Sequence, residues 1–138
     1  MGKLPRSAVV APDRSLVYVT NQGSNSISVI AAATNTVVAT IQVGFRPSGA
    51  GITPDGDFLY VANQGSNSVS VVATATNSVV QTIPVPFGPD KVVLSPDGAF
   101  VFVTHTLFGP VSVISTASNT VVARLPVGIN PQGVFIAP

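Results

Sequence analysis

The sequence predicts an all-β chain of repeated four-stranded antiparallel sheets, and three observations carry that prediction. A 42-residue step runs through the chain without a gap, from Pro12 to Pro54, Pro96 and Pro138. Each step contains four short β-type runs separated by turn-forming residues. No segment shows the apolar rhythm of a helix.

The step is held at many independent positions. Asp13, Asp55 and Asp97 keep it, as do Val19, Val61 and Val103, and Asn35, Asn77 and Asn119. The prolines Pro5, Pro47, Pro89 and Pro131 keep it too. The chain therefore holds three full repeats and a fraction.

The second repeat shows each element in order. Gly51-Ile52-Thr53 is a short run closed by Pro54-Asp55-Gly56, where Pro presets φ, Asp bonds nearby backbone and Gly accepts a positive φ. Phe58-Leu59-Tyr60-Val61 reads as a second strand and Asn63-Gln64-Gly65-Ser66-Asn67 as a polar loop. Val69-Ser70-Val71-Val72 is a third strand, Thr76-Asn77-Ser78 a tight turn, and Val79-Val80-Gln81-Thr82-Ile83 the fourth strand. Together they make a meander.

Composition says how these sheets pack. Hydrophobic residues make up 46% of the 138 residues and charged residues only 8%, against roughly 25% charged in an average soluble domain. No apolar run reaches the length of a membrane-spanning helix. Leu16-Val17-Tyr18-Val19 and Phe100-Val101-Phe102-Val103 lack alternation, which is what strands buried on both faces look like. Four-stranded units of this length, stacked face to face around an axis, are the blades of a β-propeller. The expected organisation is a single repeat domain over 1–138, with blades at about 7–44, 49–86 and 91–128 and an extra first-strand segment at 133–138.

Closed propellers typically need about four to eight blades. Three leave open edges and bare apolar faces. Either two copies close a six-bladed ring, or the chain is part of a longer propeller. The surplus first strand, Ala8-Val9-Val10-Ala11 or Val134-Phe135-Ile136-Ala137, is then displaced or swapped into a partner. Self-association is the expected partnership, a dimer giving six blades being one form of it.

Tyr18-Val19-Thr20-Asn21, with Pro54-Asp55-Gly56, Ser70-Val71-Val72 and Thr40-Ile41-Gln42-Val43-Gly44, resembles the YVTN family of β-propeller repeats over nearly the whole chain. That family is similar to surface-layer and lactonase-like propellers. The resemblance implies an extracytoplasmic or cell-surface binding scaffold, with lyases, lactonase-like enzymes and cofactor-bearing oxidoreductases among related propellers. Two repeats depart from the signature: Tyr60-Val61-Ala62-Asn63, and Phe102-Val103-Thr104-His105, which loses both Tyr and Asn. Met1-Gly2-Lys3-Leu4-Pro5-Arg6 lacks the apolar core of a signal peptide.

The functional palette is thin. Net charge is +1 with scattered lysines and arginines, so nucleic acid is not an expected partner. There is no cysteine and one histidine, so no metal ligand set and no cofactor is expected. Asp13, Asp55 and Asp97 recur with the turn and read as turn-stabilising. Asn21 and Asn63 are expected to satisfy loop backbone groups.

In a propeller, the loops between second and third strands share one end with the linkers between blades. His105, at the start of such a loop, then falls near Asp90 and Lys91 in the linker that opens its own blade. These three are the catalytic candidates, with His105 as a base held by Asp90. The alternative is a surface histidine tolerated in a divergent loop. The loop itself changes from the polar Asn63-Gln64-Gly65-Ser66-Asn67 to His105-Thr106-Leu107-Phe108-Gly109. Leu107 and Phe108 form a contact surface or pack near Phe87 or Ile129. Arg46, Asp90, Lys91, His105, Leu107 and Phe108 are accordingly the candidate ligand-binding residues. The regular repeats favour a non-catalytic scaffold for a protein or ligand; the competing reading is a small lyase- or lactonase-like enzyme working at the linker end.

Overall fold

The computed structural model describes residues 2–106 and 110–125. Twelve strands form three four-stranded antiparallel sheets, each a meander in chain order. The first blade holds β1 (Pro5–Val10), β2 (Leu16–Asn21), β3 (Ser26–Ala31) and β4 (Thr36–Gln42). The second holds β5 (Pro47–Ile52), β6 (Phe58–Asn63), β7 (Ser68–Ala73) and β8 (Ser78–Pro84). The third holds β9 (Pro89–Leu94), β10 (Phe100–His105), β11 (Val111–Ser115) and β12 (Thr120–Leu125). The described residues contain no helix, and the architecture is that of three propeller blades. The segment 133–138 lies outside the described residues.

The loss of alternation in the second strands has its explanation in the middle blade. Leu59 and Val61 of β6 pack with Tyr18, Ile27 and Val29 of the first blade. Tyr60 and Ala62, on the opposite face of the same strand, pack with Val101, Val103 and Ile114 of the third. Successive side chains of a strand point to opposite faces, so a sheet covered on both sides needs an unbroken apolar run. The two cores are the two blade interfaces.

The first strands sit innermost, with β5 packed between β1 and β9. They begin earlier than Gly51-Ile52-Thr53 suggests, at Pro47 in the second blade. The reason is Gly49. A Cβ there would collide with the Asp90 carbonyl oxygen and lie 2.9 Å from Lys91 Cα. Backbones approach too closely for a side chain, so this stretch of strand carries glycine and loses the β-branched signal that marks strands elsewhere.

At the opposite edge, each outer strand carries a bulge at the same place. Ile30 pairs with Val37 and Val29 with Ala39, leaving Val38 unpaired. Val80 and Val122 are skipped in the same way. A bulge twists an exposed edge away from further pairing.

The repeated Pro-Asp-Gly turns work as the sequence suggests. Asp55 Oδ1 accepts hydrogen bonds from Thr53 Oγ1 at 2.6 Å and from the Asp57 amide at 2.9 Å. Asp97 accepts from Ser95 Oγ at 2.8 Å and the Ala99 amide at 2.9 Å. Asp13 accepts from both the amide and hydroxyl of Ser15. Gly56 and Gly98 have φ of 78° and 76°; the first blade places Arg14 in the left-handed region instead, at 65°.

Candidate functional site

The linker end is built from two repeated contacts. In the second linker, the Arg46 amide donates to Asn25 Oδ1 at 3.0 Å, while its carbonyl accepts from the Gln64 amide at 3.0 Å. Arg46 is thus fixed between the loop of the preceding blade and the loop of its own. In the third linker, the Gly88 amide donates to Asn67 Oδ1 at 3.0 Å. Leu4, Arg46 and Gly88 share a left-handed backbone, with φ of 53°, 52° and 68°. Apolar side chains stand outward at or just before these kinks: Leu4 is 67% exposed, Phe45 64% and Phe87 69%. Between loop and linker of the last two blades lies a cleft of about 300 Å³, walled by Arg46, Gln64, Gly65, Asn67, Phe87 and Thr106.

His105 is not a surface residue. It is fully buried. Its Nε2 lies 2.7 Å from Ser112 Oγ and its Nδ1 3.2 Å from the Phe87 carbonyl. The tautomer that suits both carries the proton on Nδ1, which donates to Phe87, so that Nε2 accepts from Ser112. Desolvation holds its pKa below the ordinary 6.5, against smaller opposing effects from the Phe87 and Pro86 backbones, with the charge of Arg124 the smallest influence, in the same direction as burial.

The same geometry explains Asn21 and Asn63, and corrects the expectation for them. Each ends its second strand, and its Nδ2 donates to a serine hydroxyl on the neighbouring strand: Asn21 to Ser28 at 2.9 Å, Asn63 to Ser70 at 2.8 Å. Ser112 is the third serine of that series. The side chains serve buried hydroxyls rather than loop backbone because they point into the blade, not along it. His105 is the same strut in a different residue. Its neighbour changes with it. Gly44 lies against Asn63, where a Cβ would meet Asn63 Cγ at 2.7 Å, and the corresponding residue beside His105 is Pro86.

Asp90 does not hold His105. It is 6% exposed and forms an ion pair with Arg6 of the first blade at 3.6 Å, longer than a hydrogen bond. Its Oδ1 has no hydrogen-bond partner. Between the two lies Ser48, whose hydroxyl donates to the Asp90 carbonyl at 2.9 Å. Arg6, Ser48 and Asp90 are equivalent positions of successive blades. Lys91 is exposed, and its amide donates to Thr104 Oγ1 at 3.0 Å. Of the sequence candidates, then, Arg46 lines the cleft, Asp90 and Lys91 belong to the neighbouring first strand β9, and His105 is buried at the end of β10, next to the cleft residue Thr106. Leu107 and Phe108 lie outside the described residues.

The sequence reading missed Arg6, Gln64 and Asn67. Arg6 carried a signal, since it stands one step from Ser48 and two from Asp90. It also missed a second cleft of about 340 Å³ at the turn end, walled by Asp55, Asp97, Phe58, Tyr60 and Asn119. There the Tyr60 hydroxyl donates to Asn119 Oδ1 at 2.6 Å. Burial pushes the Tyr60 phenol above its ordinary range.

Comparison with known proteins agrees with this architecture. The family described as YNCE-like beta-propeller matches residues 53–137. Among solved structures, Kuenenia stuttgartiensis hydrazine synthase contains a chain similar to this one, with a TM-score of 0.89 and 30% sequence identity over 92% of the present chain. The match takes in 37% of that longer chain. A search of curated proteins finds no match.

Proposed function

Because the chain belongs to the YNCE-like β-propeller family, we propose that it is a non-catalytic binding scaffold, its blades forming part of a larger ring and its linker end presenting the contact surface. One observation carries this reading. The sole histidine is buried and committed to Ser112 and the Phe87 carbonyl, beneath a rim that exposes Phe45 and Phe87 to solvent. A general base must reach the proton it abstracts; His105 has both nitrogens engaged and no carboxylate partner. The lyase- or lactonase-like alternative therefore lacks its best residue.

The ring has its own support. Leu59 and Val72 of the middle blade pack on the first blade; their counterparts Val17 and Ile30, on the outward face of the first blade, are half-buried. Tyr60 packs on the third blade; on the outward face of that blade, Phe102 is half-buried and Phe100 is 41% exposed. These two outward faces are the two halves of the interface already used twice inside the chain, so they fit one another head to tail. A second copy supplies the missing half, or further blades of a longer chain do. The YVTN-like Tyr18-Val19-Thr20-Asn21 supports a place outside the cytoplasm or at the cell surface.

Light scattering on this 138-residue chain tests the ring: a mass above 14.0 kDa is expected, and a stable monomer overturns closure by self-association. His105→Asn tests the scaffold. It restores the Asn–Ser strut, and any measured binding is expected to persist; loss of a turnover activity in that variant would reinstate the enzyme.

A further inference from the structure

The net charge of +1 conceals a division along the axis. At the linker end stand Lys3, Arg6, Arg46, Lys91 and Arg124, all exposed. The one acid at that end, Asp90, is buried. At the turn end stand Asp13, Asp55, Asp57 and Asp97, all exposed, with Arg14 alone opposing them. These are all the lysines, arginines and aspartates of the chain, and glutamate is absent. One end is therefore net +4 and the other net −3. At physiological salt the Debye length is about 8 Å, shorter than the six-residue strands that separate the two ends. An approaching partner feels the end it meets, not the average.

The cationic end is also the end with the bare apolar groups. Leu4, Phe45 and Phe87 are the three most exposed large hydrophobic residues among those described, and all three sit in linkers. The linkers that carry Phe45 and Phe87 are hydrogen-bonded to the loops on both sides, and that of Leu4 to the loop of its own blade, so these side chains are presented on a held backbone and lose little freedom on binding. The cleft beside Phe87 and Arg46, about 300 Å³, lies at the small end of ligand pockets and is large enough to admit an aromatic side chain.

We propose that the linker end docks an acidic segment of a partner protein that carries apolar side chains among its carboxylates. This rests on the scaffold reading above and adds the class of partner. Carboxylates meet Arg46, Lys91 and Arg6; an apolar side chain enters the cleft against Phe87; the Gln64 and Asn67 amides stand at its wall. A nucleic acid strand fits less well. Its phosphates call for cations on a track, whereas these five are spread from the axis, at Arg6 and Lys91, to the outer strand, at Arg124. The acidic turn end of a second copy is the other competing occupant.

The test uses the full chain in its native assembly and fluorescence anisotropy with three probes: a peptide of alternating Glu and Phe, the same peptide with Lys for Glu, and a single-stranded oligothymidine. The acidic peptide is expected to bind at least about tenfold tighter than the basic one, and to weaken by about tenfold or more as salt rises and the field is screened. Arg46→Glu combined with Lys91→Glu should reduce binding at least about tenfold, as like charges come to face each other. Asp55→Asn combined with Asp57→Asn, at the far end, should leave it unchanged. Equal binding of the two peptides, or no effect of the charge reversal in protein whose circular dichroism is native, overturns the proposal. Tighter binding of the oligothymidine overturns it in favour of nucleic acid. Salt-sensitive oligomers that vanish in the Asp55/Asp57 variant overturn it in favour of end-to-end stacking. Phe45→Ala with Phe87→Ala should weaken the acidic peptide at least about tenfold; if it weakens both peptides and the parent binds the two equally, the acidic class falls while the scaffold stands. If that variant binds as the parent does, the linker-end surface itself is wrong.

Discussion

At the turn end, Asp13, Asp55 and Asp97 occupy one place in three blades, and each accepts two local hydrogen bonds. At the linker end the corresponding sets differ from blade to blade: Leu4, Arg46 and Gly88; Asn21, Asn63 and His105; Arg6, Ser48 and Asp90. The difference follows from what each position must satisfy. A turn aspartate serves its own backbone, so the same turn demands the same residue each time. A linker side chain meets the neighbouring blade or the solvent, and its neighbours are not repeated. The strut of Asn21, Asn63 and His105 shows the limit of that freedom. The serine hydroxyl is met in every blade, by an amide that donates to it at Asn21 and Asn63 and by an imidazole nitrogen that accepts from it at His105.

Glycine gives the sharpest way to break this comparison. Gly49→Ala at the linker end forces a methyl into the backbone of β9 at Asp90 and Lys91, which only separation of the blades relieves. A loss of about 3 kcal/mol is expected, the upper range for overpacking. Gly56→Ala at the turn end adds no such collision, since its nearest neighbour would be Pro12 at 3.3 Å, but fixes an L-residue at a φ of 78°. That costs roughly 1–2 kcal/mol. Urea unfolding of both variants decides. If Gly56→Ala costs as much as Gly49→Ala, the blades are not held by close backbone approach.

A titration separates the ends by their chemistry. His105 is buried, and its folded pKa lies below 6.5. The unfolded chain therefore takes up its proton first as pH falls, and stability drops from about 6.5 down to the lowered folded value. The groups facing it are Ser112, the Phe87 carbonyl and Arg124, and no carboxylate among them stabilises the imidazolium. The turn aspartates behave otherwise. Hydrogen bonds from Ser15, Thr53 with Asp57, and Ala99 with Ser95 hold Asp13, Asp55 and Asp97 below 3.8. Their contribution is present above 3.8 and lost only as pH falls through those lowered values. Urea midpoints against pH should thus show two steps, and His105→Asn should delete the upper one alone. Superimposable profiles for the parent and the variant would mean that the imidazole is not desolvated.

Much of this was open to a reader of the sequence, and the gaps have physical causes. The period and the apolar run Phe58-Leu59-Tyr60-Val61 reveal a sheet covered on both faces, because burial on each face must be written into successive residues. The start of β5 is hidden, because Gly49-Ala50-Gly51 answers to a neighbouring backbone and not to strand propensity. The bulges at Val38, Val80 and Val122 are hidden too, since an unpaired valine in an outer strand is spelled like a paired one. At the linker end, the place of His105 is legible from its step, but its burial depends on the direction of the last residue of β10. The pairing of Arg6 with Asp90 depends on the curvature of three blades around an axis. The division of charge needed only the sorting of every charged residue by end; the scattered look of the linear sequence concealed it.

Arg14 offers the smallest effect and the cleanest probe of the turn end. Gly56 and Gly98 occupy the left-handed position of the Pro-Asp-Gly turn at 78° and 76°, and Arg14 holds it at 65°. The side chain is exposed, so no packing compensates for the strain. Arg14→Gly relieves roughly 1–2 kcal/mol of left-handed strain, while the greater freedom of glycine in the unfolded chain takes back about 0.4–1 kcal/mol. A net gain of about 0.5 kcal/mol is expected, read as a small rise in the urea midpoint at unchanged slope. The substitution also removes the only cation of the turn end and makes that end net −4, so the gain should grow as salt screens the added repulsion among Asp13, Asp55, Asp57 and Asp97. A loss of stability at every salt concentration would mean that Arg14 does more for this turn than its backbone angle costs.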